Sequence, residues 1–306
     1  MADGAGGFFI GGCFTNVGDM RRNNIAHVLP DGKVDPHWNP NTDSYVGGLA
    51  ISGSYLYVVG SFTKIGGQKR NRIACLDSYG KATSWNPDAN DAVAAIVVSG
   101  SLAYVGGYFT RIGGQARNYV ACLDASGSAT SWNPNAVGYG RGLGEGYVYD
   151  IEVSPPNIFV GGEFNLIGGQ PRNRIACLDS SGAATSWNPD ASDIVKDLSI
   201  SGPLVYAAGH FSKIGGRERN HIACIDSTGN ATDWNPNADQ TVHALAVSGS
   251  SVYAGGNFRT IDGKKRYRMA CLSATGGATD WRPQISIRGV ASIALWKSTI
   301  YIGGFR

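Results

Sequence analysis

The chain has 306 residues, 16% of them charged, with a formal net charge of +3. So weak a bias excludes nucleic acid as the expected main partner, and a hydrophobic content of 42% excludes disorder. No run approaches the roughly 20 apolar residues of a membrane-spanning helix.

The opening MADGAGGFFIGGCF lacks the basic and long apolar regions of a secretion signal, so none is expected there. It enters a strand pattern at once with FFIGG, and NNIAHVLPDGKVDPHWNP follows, ending at Trp38-Asn39-Pro40. From there WNP returns at Trp85, Trp132, Trp187 and Trp234, with WRP at Trp281, at spacings of 47, 47, 55, 47 and 47 residues. Between these markers, hairpins with Ser-Gly-Ser-type turns are predicted near residues 49–60, 94–107, 149–162, 197–209, 243–256 and 290–304. Each of the first five is followed by two further strand patterns around an STGN-type turn, as in RNHIACIDSTGNATDWNP. Turn residues recur about every ten positions, and no window keeps a helical period.

Four short antiparallel strands per 47 residues predict a propeller blade. The fold expected is all-β: a six-bladed β-propeller of four-stranded antiparallel blades, forming a single domain over residues 1–306. The first unit lacks its opening strand and the last lacks its second half. A composite blade from residues 8–40 and 290–304 would therefore close the ring and remove free sheet edges. FFIGG and IYIGG read as the same strand, so which one takes that slot stays open. The alternative architecture is an open solenoid, or a piece of a longer propeller cut out of frame.

The repeated residues have both structural and functional readings. Trp38, Trp85, Trp132, Trp187, Trp234 and Trp281 can wedge between neighbouring sheets, or serve as aromatic platforms for sugars. Arg22, Arg70, Arg117, Arg172, Arg219 and Arg266 can stack on indoles or tie down loop carbonyls, or form a ring of cations for an anion. Gly66-Gly67 and its copies read as turns at positive φ rather than a phosphate cradle, because no helix follows. Cys75, Cys122, Cys177, Cys224 and Cys271 share one strand position and read as small buried hydrophobes; His27 takes that position in the first unit.

No HExxH or GxSxG motif is present, and the five histidines fall at different repeat positions. The links after WNP carry Asp43, Asp91, Asp193 and Asp239. They either stabilise turns, or ring a channel mouth where a Ca²⁺ ion or glycoside chemistry would use them. No other cofactor is expected. One unit is eight residues longer, near residues 137–147, and its Tyr139, Arg141, Glu145 and Tyr147 escape the repetition. They are the candidate ligand-binding residues.

The unit GGxFTxIGGQxRNxIACLDxxGxATxWNP resembles the delta-60 repeat, a bacterial β-propeller family without an assigned general activity. The first unit is closest, keeping Asp31-Gly32, Asp35 and Asn39-Pro40; later units place Cys, AT and Trp where the family has Arg, an acid and Phe. The resemblance implies a cell-surface or secreted protein, often part of a longer chain, and carries over no catalytic residues. The function expected is a non-catalytic binding or display module. It would recognise a glycan or protein on the face built from the GGxFTxIGG loops and WNP links. The alternatives are a polysaccharide-acting enzyme using the Asp residues, or a subunit of a surface layer or filament.

Overall fold

The computed structural model describes residues 1–138 and 145–305. Every regular element among them is a β-strand. The chain divides into two compact units: Met1–Ala136 with Gly146–Ile151, and Val137–Glu145 with Glu152–Arg306.

In the first unit, Val46–Ser52 pairs with Tyr55–Gly60, which pairs with Ile73–Leu76. Val93–Ser99, Leu102–Gly107 and Val120–Leu123 repeat the pattern in the next sheet. In the second unit it recurs in Val195–Ser201, Leu204–Gly209 and Ile222–Ile225. Val242–Ser248, Ser251–Gly256 and Met269–Leu272 form a further copy. A two-stranded hairpin such as Lys64–Ile65 with Gln68–Lys69 sits between the second and third strands of a repeat. Its turn needs left-handed backbone at Gly66, with φ of 58°, and a Cβ there would meet the Ala82 nitrogen at 2.5 Å.

One expectation is corrected. The four-stranded sheet is three-stranded, because the fourth segment shrinks to one bridge, as in Leu76↔Ala82. Local hydrogen bonding explains why. Asp77 Oδ1 accepts from the Tyr79 and Lys81 amides and closes the turn tightly. The Thr83 amide still reaches the Cys75 carbonyl, but the Thr83 carbonyl goes to Arg70 and its hydroxyl to the Trp85 amide. With the Thr83 carbonyl taken by Arg70 and the Ala82 amide by the Gly66 carbonyl, the segment leaves the sheet. On the slot left open, both candidates form strands. Phe8–Gly11 pairs with Ile25–Val28, in the second and third positions of the repeat. Gly289–Trp296 pairs with Thr299–Phe305, in the first and second.

Within each unit, packing runs from one sheet to the next. One core cluster joins Val59, Ile73, Cys75 and Trp85 to Val105, Phe109, Ile112 and Leu123 of the following repeat. Another joins Ile175, Cys177 and Trp187 to Val195, Phe211, Ile214 and Ile225. Trp38, Trp85, Trp132, Trp187 and Trp234 are 4–7% exposed. Each such ring removes roughly 150–250 Å² from water, about 4–6 kcal/mol as an upper figure. Trp85 Nε1 donates to the Asp124 carbonyl at 3.1 Å, Trp187 Nε1 to Asp226 at 2.8 Å, and Trp234 Nε1 to Ser273 at 3.0 Å. Thus the polar edge of each of these indoles is satisfied one repeat onward. Trp281, packed edge-on against Tyr253, is only half-buried.

Candidate functional site

Most of the repeated polar residues are occupied internally. In all six copies the Arg donates Nη1 to the carbonyl of the residue before it, and Nη2 to a carbonyl 13 residues on. Arg266 is 2% exposed, and Arg22 and Arg219 are also buried. The guanidinium ties down loop carbonyls.

The link residues act as caps. Asp43 Oδ1 accepts from the Thr63 and Lys64 amides, at 2.8 and 3.0 Å, and Oδ2 from the Thr63 hydroxyl. Asn90, Ser192 and Asp239 serve the equivalent amides in their own repeats. That Asp, Asn and Ser interchange here marks an oxygen acceptor, not a charge. Asp91 and Asp193 occupy the next position and accept from the amides of Ala92 and Ile194. The four Asp residues therefore belong to two different repeat positions. Burial works to raise the Asp43 carboxyl, but the Thr63 and Lys64 hydrogen bonds outweigh it and hold it below the ordinary value. Asp239 is likewise lowered: burial is outweighed by the Thr260 and Arg259 amides. A carboxyl held ionised is unsuited to be the general acid of glycoside hydrolysis. Among the described residues no group of three or more His, Cys, Asp or Glu could hold a metal ion. After the WNP Pro, Asp88, Asn135, Asp190 and Asn237 adopt φ of 51–55° and accept from an Asn amide.

Repeats vary in the turns at one end of the sheets, as in Tyr55, Leu102, Asn157, Leu204 and Ser251, and also at the other end, where the WNP links and GGxFT loops meet. Four repeat positions converge at that second end. The first precedes the opening Val of each hairpin: Tyr45, Ala92, Tyr147, Ile194 and Thr241. The second precedes the buried Phe: Cys13, Ser61, Tyr108, Glu163, His210 and Asn257. Backbone bonds join these two, as in Ser61 N to Tyr45 O and Tyr108 N to Ala92 O. The third is a β-bulge in the first strand, carrying Gly47, Ala94, Lys196 and His243, with Tyr149 at the same place in its repeat. Bulges re-aim side chains and are enriched beside functional sites. The fourth holds left-handed backbone at φ of 63–67° in Asn24, Arg72, Tyr119, Arg174, His221 and Arg268. Such strain in six non-glycine residues persists because paired bonds over-determine it, as in Arg72 N to Phe62 O and Gly60 N to Arg72 O.

In the first unit these positions carry tyrosines. Tyr108 packs on Tyr147 with centroids 4.6 Å apart and on Tyr149 at 6.0 Å, and Tyr147 meets Tyr119 edge-on at 5.7 Å. Burial raises the Tyr45 phenol, helped by Cys13 and Tyr108 close by. The second unit is polar instead. His210 and His243 stand with ring centroids 6.3 Å apart. Burial lowers His210, with Lys196 and His221 adding to it and Asp193 and Glu163 opposing. Burial lowers His243 too, reinforced by His210 and Lys196 and opposed by Asn257. Lys196 is lowered by its own burial, against the pull of Glu163 and Asp193. A polar cleft of about 410 Å³ adjoins His221, lined also by Asn220, Asn237, Asp239 and Thr260.

The sequence reading placed the histidines apart; the structure brings His210, His221 and His243 together. Of the four candidate ligand residues, Tyr139 and Arg141 lie outside the described residues. Glu145 is half-buried in the second unit, whereas Tyr147 belongs to the tyrosine group of the first. The tyrosines at 45, 108, 119 and 149 were missed, as were Lys196 and Glu163. Their signal was present: aligned repeats differ in all four of these columns.

Residues 56–81, 99–129, 157–184 and 205–231 match the family model described as a domain of unknown function (DUF5122) beta-propeller. No curated protein sequence matches the chain. Among solved structures, the computationally designed Ika8 protein aligns at a TM-score of 0.57 and 11% identity, covering 92% of this chain and 87% of that one. The extracellular domain of BT4673 from B. thetaiotaomicron aligns at 0.58 and 14% identity, covering 92% of this chain and 34% of that one. The Pan2 WD40 domain of Neurospora crassa aligns at 0.53 and 12%, covering 89% and 76%. The all-β architecture, the family model and these likenesses together support a β-propeller family.

Proposed function

We propose that the chain is a non-catalytic binding module, a six-bladed propeller domain over residues 1–306 that recognises a glycan or protein on its loop face. The sixth blade would combine residues 8–40 with 290–304. Among the described residues, five three-stranded sheets lie between the Phe8–Gly11/Ile25–Val28 pair and the Gly289–Trp296/Thr299–Phe305 pair, which supports that number. One observation supports the loop face. The repeated polar residues are engaged in internal hydrogen bonds, while four varying positions that carry neighbouring Tyr and His side chains meet at the WNP and GGxFT end. Architecture alone would not decide function, since propellers host many activities. Placement outside the cell or at its surface fits the delta-60 resemblance and is part of the same proposal.

The test is a bulky maleimide adduct placed at either end in a Cys13→Ser background. The adduct at Ser61→Cys, on the loop face, should abolish the array signal for glycan or protein ligands. At Ser126→Cys, in the exposed turn at the far end, it should leave the signal intact. Loss at Ser126 with retention at Ser61 would overturn the reading.

A further inference from the structure

The first unit carries a group of tyrosines that its fold does not require: Tyr108 packs on Tyr147 and Tyr149, with Tyr45 near Tyr108. Tyr45 is 47% exposed, and Tyr108, Tyr147 and Tyr149 are half-buried. Beneath them Tyr119, 7% exposed, props Tyr147 edge-on. At the same repeat positions other copies have Ala92 for Tyr45, Ser61 for Tyr108, Thr241 for Tyr147 and Ala94 for Tyr149. Small residues therefore satisfy the backbone at every one of these places. Single exposed aromatics need no explanation, but neighbouring ones in optional positions mark a binding surface.

We propose that Tyr45, Tyr108, Tyr147 and Tyr149 form a stacking site for sugar rings, and that the ligand is a neutral oligosaccharide of pyranose units. This rests on the loop-face reading and narrows it. The chemistry follows from the side chains. A phenol ring offers an apolar face to the C–H side of a pyranose, and its hydroxyl donates to or accepts from the sugar hydroxyls. Tyrosine also loses little conformational freedom on binding, having two side-chain torsions. The Tyr108 and Tyr147 rings are inclined at 43°, so they present a stepped surface rather than one flat plate. Gly47, Ser61 and Ala92 lie at the same end and add no bulk beside the rings. The quartet brings no formal charge, which favours a neutral sugar over an acidic one. A protein partner is disfavoured by what else is exposed. Among the described residues of this unit, the most exposed large apolar side chains are Met1, Tyr45, Tyr55 and Tyr79. Only Tyr45 belongs to the quartet, so no aliphatic rim surrounds it.

The experiment exchanges these tyrosines for residues that the same fold already uses in its other repeats. The loop-face variant is Tyr45→Ala, Tyr108→Ser, Tyr147→Thr and Tyr149→Ala; Tyr149→Ala alone is the milder version. The control is Tyr55→Ser with Tyr79→Ser, which removes two exposed tyrosines from the far end. Titration calorimetry against neutral hexaoses (β-1,4-glucose, β-1,3-glucose, β-1,4-mannose, α-1,4-glucose) is the readout, with a uronic-acid hexaose and a protein array beside it. Wild type and control should bind at least one neutral hexaose alike. Affinity should fall about tenfold or more in the single variant and be lost in the fourfold one, since each such ring contact is worth about one decade. Absence of binding to any neutral hexaose overturns the inference, as does binding that the single and fourfold variants both keep. If the loop-face variant loses a protein or acidic ligand instead, the sugar fails but the loop face stands. If only the control loses binding, both fail.

Discussion

Single residues here fall into those that hold backbone and those that do not. The buried Arg266 supplies two loop carbonyls, of Lys265 and Thr279, through one guanidinium. Arg266→Met leaves both without a donor and should cost about 2–4 kcal/mol in urea unfolding. Arg217→Met removes only the surface ion pair to Asp233, whose partners are 51% and 96% exposed, and should leave the midpoint unchanged. Equal effects would refute the assignment of Arg266 as a backbone tie. The thiols divide similarly. Burial raises Cys75, Cys122, Cys177 and Cys224, and the neighbouring Tyr206 phenol is pushed up to about 12 by burial and by Cys224. Cys13 is exposed, whereas the other five cysteines are buried. Native labelling with a thiol reagent should modify Cys13 alone, and all 6 cysteines should react after denaturation.

At the scale of the element, the link and the bulged strand behave differently. Asp43 holds the start of a small hairpin by accepting amides, as Asn90 does in its own repeat. Asp43→Asn should therefore leave stability nearly unchanged, while Asp43→Ala should lose about 1 kcal/mol. A large loss with Asn would show that charge, or a bound cation, matters there. The bulged strands bring His243 and Lys196 to His210. Both histidines are lowered in the folded state, so between their folded values and the unfolded value of about 6.5 the unfolded chain binds more protons. Their contribution is full above about 6.5, falls as pH drops through that window and levels off below it. The gap in unfolding midpoint between wild type and His210→Gln/His243→Gln should thus change from pH 8 to pH 5 in the direction that penalises wild type. A constant gap would contradict the placement.

Much at this scale was readable beforehand. The Trp spacing, the Arg-Asn pairs and the Gly-Gly turns are periodic, and a physical role repeated six times leaves a periodic trace. The fourth strand was misread because strand pattern alone does not reveal that Arg70 takes the Thr83 carbonyl. His210, His221 and His243 were missed for a different reason. They occupy three different repeat positions, and only a backbone tie, a left-handed residue and a bulge bring those positions to one end.

For the whole molecule, the fold and the proposed binding surface use separate sets of positions. Positions that agree across repeats are buried or internally bonded; the positions proposed for binding disagree between repeats and sit at the loop face. The most direct measurement is array binding by a full chain whose loop face has been equalised, with Ala at 45, 147, 149, 194, 196, 241 and 243 and Ser at 13, 108, 163, 210 and 257. The predicted result is a cooperative unfolding transition close to that of wild type, with every ligand signal gone. Ligand signals that survive equalisation, or a chain that no longer folds, would contradict that separation.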